Sequence, residues 1–195
     1  MIKQISAHVA NWLVKEGTVS EVDRELYRYA AYSFLFGLLP FFISVLFGAF
    51  MGIVKESLLI MLPFILVRKF SGGYHLQSSR TCFMLSLSVI VAACSSTKWL
   101  LSHRESYTVF SIIVLLACCS LCSLSPVDSE ARKLNKKEKK LFRRLAQMFS
   151  LITLLIYYLL LNNRSIHLAV PTGMGLILAA FLQIPCLLHK AVKWK

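Results

Sequence analysis

The chain has 195 residues, of which 57% are hydrophobic and 16% are charged, and its formal net charge is +13. Soluble domains are about 45–50% apolar and about 25% charged, so this composition excludes an ordinary soluble protein. It predicts an all-α polytopic membrane protein that lies in the bilayer as one domain over residues 1–195. The basic excess is then expected in the loops between spans, and no nucleic acid partner is expected.

The N-terminal segment, residues 1–28, is predicted to be amphipathic and to lie at the cytoplasmic interface. Between residues 2 and 14 the apolar side chains fall on one helical stripe, in a run too short to span the bilayer. The stripe consists of Ile2, Ile5, Val9, Trp12 and Leu13. Gly17 is predicted to end this helix, and Ser20-Glu21-Val22-Asp23 resembles the capping box that begins the next one.

Six apolar segments of roughly twenty residues are predicted to be transmembrane helices. They cover residues 29–48, 50–67, 81–97, 107–124, 145–161 and 168–188. A tight turn from Gly48 to Gly52 is predicted between the first two. Lys55 and Glu56 fall near the start of the second, and because an intramembrane charge is costly they are predicted to reach the far interface or to pair inside the protein.

The distribution of basic residues predicts the orientation of these spans. With six spans, 18 of the 22 Lys and Arg residues lie on the side of the two termini and four lie on the other side. Those four are Lys55, Lys98, Arg104 and Arg164. The positive-inside rule then predicts a multi-pass protein of the cell membrane with both termini in the cytoplasm.

A polar segment between the second and third spans, which we call the island, holds a histidine and a cysteine seven residues apart. It reads Arg68-Lys69-Phe70-Ser71-Gly72-Gly73-Tyr74-His75-Leu76-Gln77-Ser78-Ser79-Arg80-Thr81-Cys82. Nucleophilic catalysis by sulfur needs a thiolate with a base close to it, and here both residue types lie together in polar surroundings. Residues 68–81 are therefore predicted to be a cytoplasmic catalytic loop, with His75 as the base and Cys82 as the nucleophile.

A working pair requires the chain to fold back between His75 and Cys82. In a straight helix seven residues rise about 10 Å, which is too far for proton transfer. Gly72-Gly73 gives a place where the backbone can turn, and Ser78 or Ser79 would be the N-cap of the next helix. Cys82 would then lie in the first turn of that helix, where backbone N–H groups favour a thiolate and an oxyanion.

The other five cysteines lie inside apolar runs, where cysteine behaves as a small hydrophobic residue. They are Cys94, Cys118, Cys119, Cys122 and Cys186. Cys119 and Cys122 form a C-x-x-C pair, but no histidine or second pair accompanies it, so packing is preferred over metal binding. No metal and no other cofactor is expected.

A second polar stretch, residues 126–144, is predicted to be a basic cytoplasmic loop, and we call it the basic segment. Its basic residues are Arg132, Lys133, Lys136, Lys137, Lys139, Lys140, Arg143 and Arg144. One interpretation is a topology determinant that contacts anionic lipid. The other is a docking surface for an acidic peptide, whose binding salt would weaken.

These residues resemble the accessory gene regulator B (AgrB) family, the membrane peptidases of Gram-positive quorum sensing. The resemblance lies in Arg68, Gly72-Gly73, His75 and Cys82, with seven-residue steps from Arg68 to His75 and from His75 to Cys82. A second match is Ser125-Pro126-Val127-Asp128, at the start of a lysine-rich segment. Length and hydropathy extend the resemblance over nearly the whole chain.

The resemblance implies a cysteine endopeptidase that acts on a short precursor peptide at the cytoplasmic face of a Gram-positive bacterium. Cys82 would attack the peptide and form an acyl-enzyme thioester, which an internal Cys or Ser of the peptide converts into a thiolactone or lactone. Arg68 would orient the peptide or the oxyanion, and Gly72-Gly73 would give backbone access. No third residue orienting His75 is visible in the island, and Asp128 is a remote candidate.

The resemblance also implies partners. An AgrD-like precursor with an acidic C-terminal tail would be the substrate, and the basic segment would bind that tail. A second copy of the chain is expected in a homodimer, and the lipid bilayer is the third partner.

Two other classes of protein fit parts of the pattern. A small transporter or exporter of peptides would use the charged residues as a pathway, and its His-Cys pair would be incidental. A membrane scaffold would recruit acidic cytoplasmic partners through the basic segment without any covalent intermediate. Loss of activity in a Cys82→Ala variant distinguishes the peptidase from both.

Overall fold

The computed structural model describes residues 2–71, 79–127 and 136–184, and the regular structure in these ranges is helical. The helices are α1 (Ile2–Lys15), α2 (Arg24–Met51), α3 (Val54–Ser71), α4 (Ser79–Ser102), α5 (Tyr107–Leu124), α6 (Lys136–Asn162) and α7 (Ile166–Phe181), with short 3-10 turns at Glu21–Asp23 and Arg104–Ser106. The predicted all-α fold is confirmed. The chain divides into two compact units, residues 1–43 and residues 44–195.

In the first unit, the amphipathic helix α1 ends as its sequence predicts. Ile5, Val9 and Trp12 form an exposed apolar face, as expected for a helix at a membrane surface. Gly17 adopts a φ of 68°, and the N–H of Thr18 donates to the carbonyl of Leu13 at 3.1 Å. This six-to-one bond with glycine in the left-handed region is a Schellman C-cap.

The predicted capping box before α2 takes a different form. The Ser20 hydroxyl donates to the Asp23 carboxylate at 2.8 Å, and Ser20 makes no side-chain cap bond to the backbone. Residues Glu21–Asp23 form one 3-10 turn before α2 begins at Arg24. Because the serine hydroxyl is occupied by the carboxylate, the chain enters α2 through this tighter turn rather than through a reciprocal box.

Helices α4, α5 and α6 contain segments long and apolar enough to cross a membrane, at Met84–Ser102, Tyr107–Leu124 and Lys137–Asn162. Two shorter apolar helical stretches are Leu38–Met51 and Ile166–Phe181. The protein is therefore an all-α membrane protein, as the composition predicts. That it has six spans stays a prediction.

The turn between the first two predicted spans lies at Gly52-Ile53, since Gly48 is still inside α2. Gly52 has a φ of 74°, which glycine adopts without steric cost, and the N–H of Ile53 donates to the carbonyl of Gly48 at 2.8 Å. A side chain at Gly48 would overlap the hydroxyl of Ser57 on α3. Gly48 therefore serves the close approach of α2 and α3, and its carbonyl closes the turn.

Helix α7 is the centre of the second unit. It packs against α3, α4, α5 and α6, and its residues from Ala169 to Ala180 are buried with the exception of Ile177. A Cβ at Gly175 would overlap the carbonyl oxygen of Ile60 on α3, and one at Gly173 would lie 2.9 Å from Val114 on α5. The two glycines thus let α3 and α5 approach different sides of α7, the role that small residues have between membrane helices.

Two polar contacts join the helices at the end of the bundle that holds the start of α3. The ammonium of Lys98 on α4 donates to the carbonyl of Met51 at 2.8 Å, at the C-terminus of α2, where a cation is favoured. Glu56 lies 3.1 Å from Nδ1 of His167 on α7. Glu56 therefore has a partner, but the His167 side chain is 75% exposed, so the contact does not decide between the two alternatives predicted for Glu56.

The basic segment is not a loop throughout, which corrects the prediction for residues 126–144. Helix α6 begins at Lys136, so Lys136 to Arg144 are helical and continue into the membrane-crossing part. The physical reason is packing: Phe142 and Phe149 on one face of α6 both contact Phe70 on α3. Arg132, Lys133 and Asp128 lie outside the described residues.

Candidate functional site

The structure describes only part of the predicted catalytic island. His75, Gly72 and Gly73 lie outside the described residues. The backbone of Cys82 is described and is the fourth residue of α4, whose described part begins at Ser79. The residues before Ser79 are not described, so the predicted place of Cys82 in the first turn of this helix, where unpaired backbone N–H groups favour an anion, stays a prediction. The His75–Cys82 pairing stays a prediction.

Arg68 lies in the last turn of α3, where the island begins. Its guanidinium carbon is 5.7 Å from the centroid of the Phe64 ring, at cation–π distance, and its side chain is half-buried. Stacking on an aromatic ring restrains the long side chain. Arg68 is therefore held near the start of the island, and its predicted role in orienting a peptide stays a prediction.

The last residue of α3, Ser71, is joined to the segment that follows α5. Its carbonyl oxygen accepts one hydrogen bond from the N–H of Val127 at 3.0 Å and a second from Nε2 of Gln183, also at 3.0 Å. Ser71 directly precedes the diglycine of the island, and Val127 belongs to the Ser125-Pro126-Val127-Asp128 stretch. The two stretches of sequence that carry the family resemblance are therefore in direct contact.

Ser125 completes this polar cluster, which we call the Ser71 node. Gln183 also donates from Nε2 to the Ser125 hydroxyl at 2.9 Å, and Nε of Arg143 donates to the Ser125 carbonyl at 3.1 Å. Ser71 and Ser125 are 0% exposed and Gln183 is 1% exposed. Hydrogen bonds in such a buried network are electrostatically stronger than in water. The node thus ties together the ends of α3, α5 and α7 and the start of α6.

An aromatic cluster supports the node from the side of α6. The ring of Phe70 stacks on Phe149 with centroids 5.3 Å apart and meets Phe142 edge to face at 5.9 Å. Such pairs contribute about 0.5–1.5 kcal/mol beyond the area that they bury. Phe70 precedes Ser71, so the same two residues fix α3 to α6 by packing and to α5 and α7 by hydrogen bonds.

The basic residues of α6 do not form one equivalent set. Lys137, Lys139, Lys140 and Arg144 are exposed on the first turns of the helix. Arg143 differs because its guanidinium donates into the Ser71 node. At about 100° per residue Lys137, Lys140 and Arg144 lie on the side of α6 away from Phe142, whereas Lys139 falls about 60° from Phe142. Lys137, Lys140 and Arg144 form a positively charged surface, which we call the basic face of α6.

Sequence reasoning missed Phe70, Ser71 and Gln183 as parts of the site. Phe70 and Ser71 stood inside the island but carried no chemistry of their own. Gln183 gave a signal, since it is a lone amide within the apolar stretch 168–188, and polar residues inside spans are costly unless they have a partner. Its Oε1 atom has no hydrogen-bond partner within the residues that the structure describes.

Four of the remaining cysteines can be placed. Cys94, Cys118, Cys119 and Cys122 are free thiols on α4 and α5. Among residues 2–71, 79–127 and 136–184, no group of three His, Cys, Asp or Glu side chains lies close enough to hold a metal ion. Cys186 is outside the described ranges.

The fold and the site together define an all-α membrane protein with a buried polar node where a cysteine-bearing segment leaves the helical bundle. The chain belongs to the accessory gene regulator B family, whose model matches residues 6–186. This confirms the resemblance drawn from the island and from Ser125-Pro126-Val127-Asp128. The family processes peptide precursors in accessory gene regulator systems.

Individual relatives are distant. An AgrB-like protein of Clostridium perfringens strain 13 is 24% identical over 188 residues, which cover 94% of this chain and 86% of the relative. An AgrB-like protein of Clostridium acetobutylicum is 29% identical over 119 residues, or 58% of this chain and 56% of the relative. No solved structure matches the chain.

Proposed function

We propose that this protein is a membrane-embedded cysteine endopeptidase that removes the C-terminal tail of a quorum-sensing precursor peptide and promotes its cyclisation. Cys82 is the nucleophile and His75 is its general base. Arg68 orients the peptide or the oxyanion, and Gly72-Gly73 lets the substrate backbone approach. The protein acts in the cell membrane, with both termini and the site on the cytoplasmic side.

The chemistry divides into two transfers of an acyl group. His75 takes the proton of the Cys82 thiol, and the thiolate attacks the carbonyl carbon at the end of the signal region. The C–N bond then breaks, His75 returns the proton to the leaving amine, and a thioester remains on Cys82. An internal Cys or Ser of the peptide attacks this thioester, Cys82 leaves as a thiolate, and a thiolactone or lactone forms.

The observation that carries this proposal is the hydrogen bond from Val127 to the carbonyl of Ser71. It brings the start of the basic segment to the start of the island, which supports a binding surface and a chemical site that serve the same peptide. The described part of α4 begins at Ser79, and Cys82 follows as its fourth residue, which supports the same assignment, since a helix N-terminus stabilises a thiolate.

The basic face of α6 suits the acidic tail of the precursor. Ion pairs with a flexible acidic segment raise the rate of capture and are weakened by salt. Arg132 and Lys133 would extend this surface along the chain, whereas Arg143 serves the node. The protein is further proposed to work as a homodimer, as the family resemblance implies.

The test is co-expression of the protein with a precursor peptide encoded beside it, followed by mass spectrometry of the peptide products. Release of a C-terminal fragment is expected with the wild-type protein and is expected to be abolished in Cys82→Ala and in His75→Ala. Cys119→Ala is the matched control, because Cys119 is an exposed free thiol on α5, and it should cleave normally. Release that survives both island substitutions would favour the transporter interpretation.

A further inference from the structure

Gln183 lies just after α7 and contacts the point where the chain leaves α3 for the island. We propose that Gln183 is a positioning residue of the catalytic pair, which acts by holding the carbonyl of Ser71 in place. This inference rests on the proposed function, since it assigns a new residue to the same site.

Both hydrogens of the Gln183 side-chain amide are donated in hydrogen bonds. A carboxamide NH2 group has two hydrogens to donate, and here Nε2 has two acceptors, Ser71 O at 3.0 Å and Ser125 Oγ at 2.9 Å. The side chain is 1% exposed, so water cannot replace either bond when the amide is removed. A buried amide with both hydrogens engaged is a rigid connection between two backbone segments.

The carbonyl of Ser71 is fixed from two directions. It is one of the C-terminal carbonyls of α3, which have no partner within the helix, and its two lone pairs are taken by Gln183 and Val127. Ser125 is in turn held by Arg143 of α6. The end of α3 is therefore oriented by groups from α7, from the segment after α5 and from α6.

This placement matters because the island is anchored at its two ends. Ser71 is its anchor at α3, and the start of α4 near Ser79 is the other, with Cys82 one turn further on. A shift of the first anchor displaces His75, four residues downstream, relative to Cys82. Displacements of about 1 Å in a catalytic pair lower rates by up to about a hundredfold.

A purely structural role for Gln183 makes a different prediction. With a purely structural role, removing the amide would lower the melting temperature and leave the reactivity of Cys82 in the folded protein unchanged. A positioning role changes the pH dependence of Cys82 reactivity, since the thiolate population at neutral pH depends on the distance to its base. The reactivity of Cys82 towards iodoacetamide measures this directly and requires no precursor peptide.

The experiment uses the full chain in lipid nanodiscs. Iodoacetamide labelling of Cys82 is followed from about pH 5 to pH 10 by peptide mapping, in the wild type, His75→Ala, Gln183→Met and Tyr157→Phe, since an ordinary thiol titrates at about 8.5. Gln183→Met keeps the side-chain volume and removes the amide. Tyr157→Phe is the matched control, because it removes a different buried bond between helices, from Tyr157 to the Ser111 hydroxyl at 2.7 Å.

The wild type should label with a midpoint at least about one pH unit below that of His75→Ala, as expected for a paired cysteine. The labelling midpoint of Gln183→Met should be shifted from the wild-type value towards the His75→Ala value by at least half of the difference between them. The midpoint of Tyr157→Phe should match that of the wild type. A wild-type profile in folded Gln183→Met overturns this inference and leaves the endopeptidase proposal standing. Equal profiles in the wild type and His75→Ala overturn both. If Gln183→Met does not fold, Gln183→Asn carries the test, because its amide is one methylene shorter and is withdrawn from the Ser71 carbonyl. A wild-type profile in Gln183→Asn overturns the positioning role.

Discussion

The backbone N–H of Val127 donates a hydrogen bond to the carbonyl oxygen of Ser71 at 3.0 Å. Val127 is 4% exposed and Ser71 is 0% exposed, so this bond is shielded from water. One residue ends the helix that leads into the catalytic island, and the other opens the basic segment. The contact makes the two halves of the proposed site, the chemical one and the peptide-binding one, a single structural unit.

The basic face of α6 should contribute to substrate binding through charge. Replacing Lys137 and Lys140 with Gln is expected to raise KM for precursor cleavage severalfold at about 50 mM salt and leave kcat unchanged. The difference should largely vanish at about 500 mM salt, where the screening length falls below about 5 Å. Cleavage kinetics at the two salt concentrations measure this.

Two further variants control that experiment. Lys55→Gln removes an exposed charge at the other end of α3 and should leave KM unchanged at either salt concentration. Arg143→Gln should lower activity at both, because Nε of Arg143 holds the Ser125 carbonyl by a hydrogen bond that salt does not screen. An equal salt dependence for Lys55→Gln and the α6 pair would argue against docking on α6.

Phe70 should be the residue on which the start of α6 depends. Phe70→Ala removes the stacking on Phe149 and the edge contact with Phe142, and is expected to lower the free energy of unfolding by about 3 kcal/mol. Hydrogen exchange should rise first in residues 136–149. Phe50→Ala is the control, since Phe50 is 87% exposed. Equal losses in denaturant titrations of the two variants would contradict the packing account.

The glycines of α7 should differ in their tolerance of a methyl group. In Gly175→Ala the new Cβ meets the backbone carbonyl of Ile60, which cannot move away without shifting α3. In Gly173→Ala it lies 2.9 Å from a methyl group of Val114 and 3.0 Å from the ring of Tyr157, and these side chains can adjust. Overpacking costs about 1–3 kcal/mol, with Gly175→Ala expected at the upper end.

Thermal unfolding in detergent measures this order. Val114→Ala should restore part of the stability lost in Gly173→Ala and none of that lost in Gly175→Ala. A reversed order of the two single variants would show that α7 does not pack against α3 through Gly175.

The contact between Glu56 and His167 should contribute little to the free energy of unfolding. The contact spans 3.1 Å and is an ion pair only when His167 is protonated. The His167 side chain is 75% exposed, and exposed ion pairs contribute about 0.2–1 kcal/mol. A double-mutant cycle with Glu56→Gln and His167→Gln, followed by unfolding at low and high salt, should give a coupling energy in that range that falls as salt rises. A coupling energy well above the range for exposed pairs would mean that lipid shields Glu56 and His167 from water.

The sequence by itself determined the class of the protein and the identity of its motifs. Composition alone predicts a membrane protein, the runs between charged residues locate both ends of α5 and the C-terminal end of α6, and Gly17 ends α1 where expected. These features depend on local chemistry, namely apolar length, capping and the backbone freedom of glycine. The string from Arg68 to Cys82 is local in the same sense, and it was sufficient to indicate the family.

Only the tertiary structure decided which distant residues meet. Nothing near Ser71 in sequence indicates that Val127 and Gln183 share its carbonyl, and the charge of Arg143 suggested a docking residue before its bond to Ser125 was seen. Helix α6 extends back to Lys136 through residues that are good helix formers, and the contacts of Phe70 with its apolar face are what only the packing reveals. The physical reason is the same in each case: buried hydrogen bonds and aromatic contacts depend on the three-dimensional packing of helices, and spacing along the chain does not specify it.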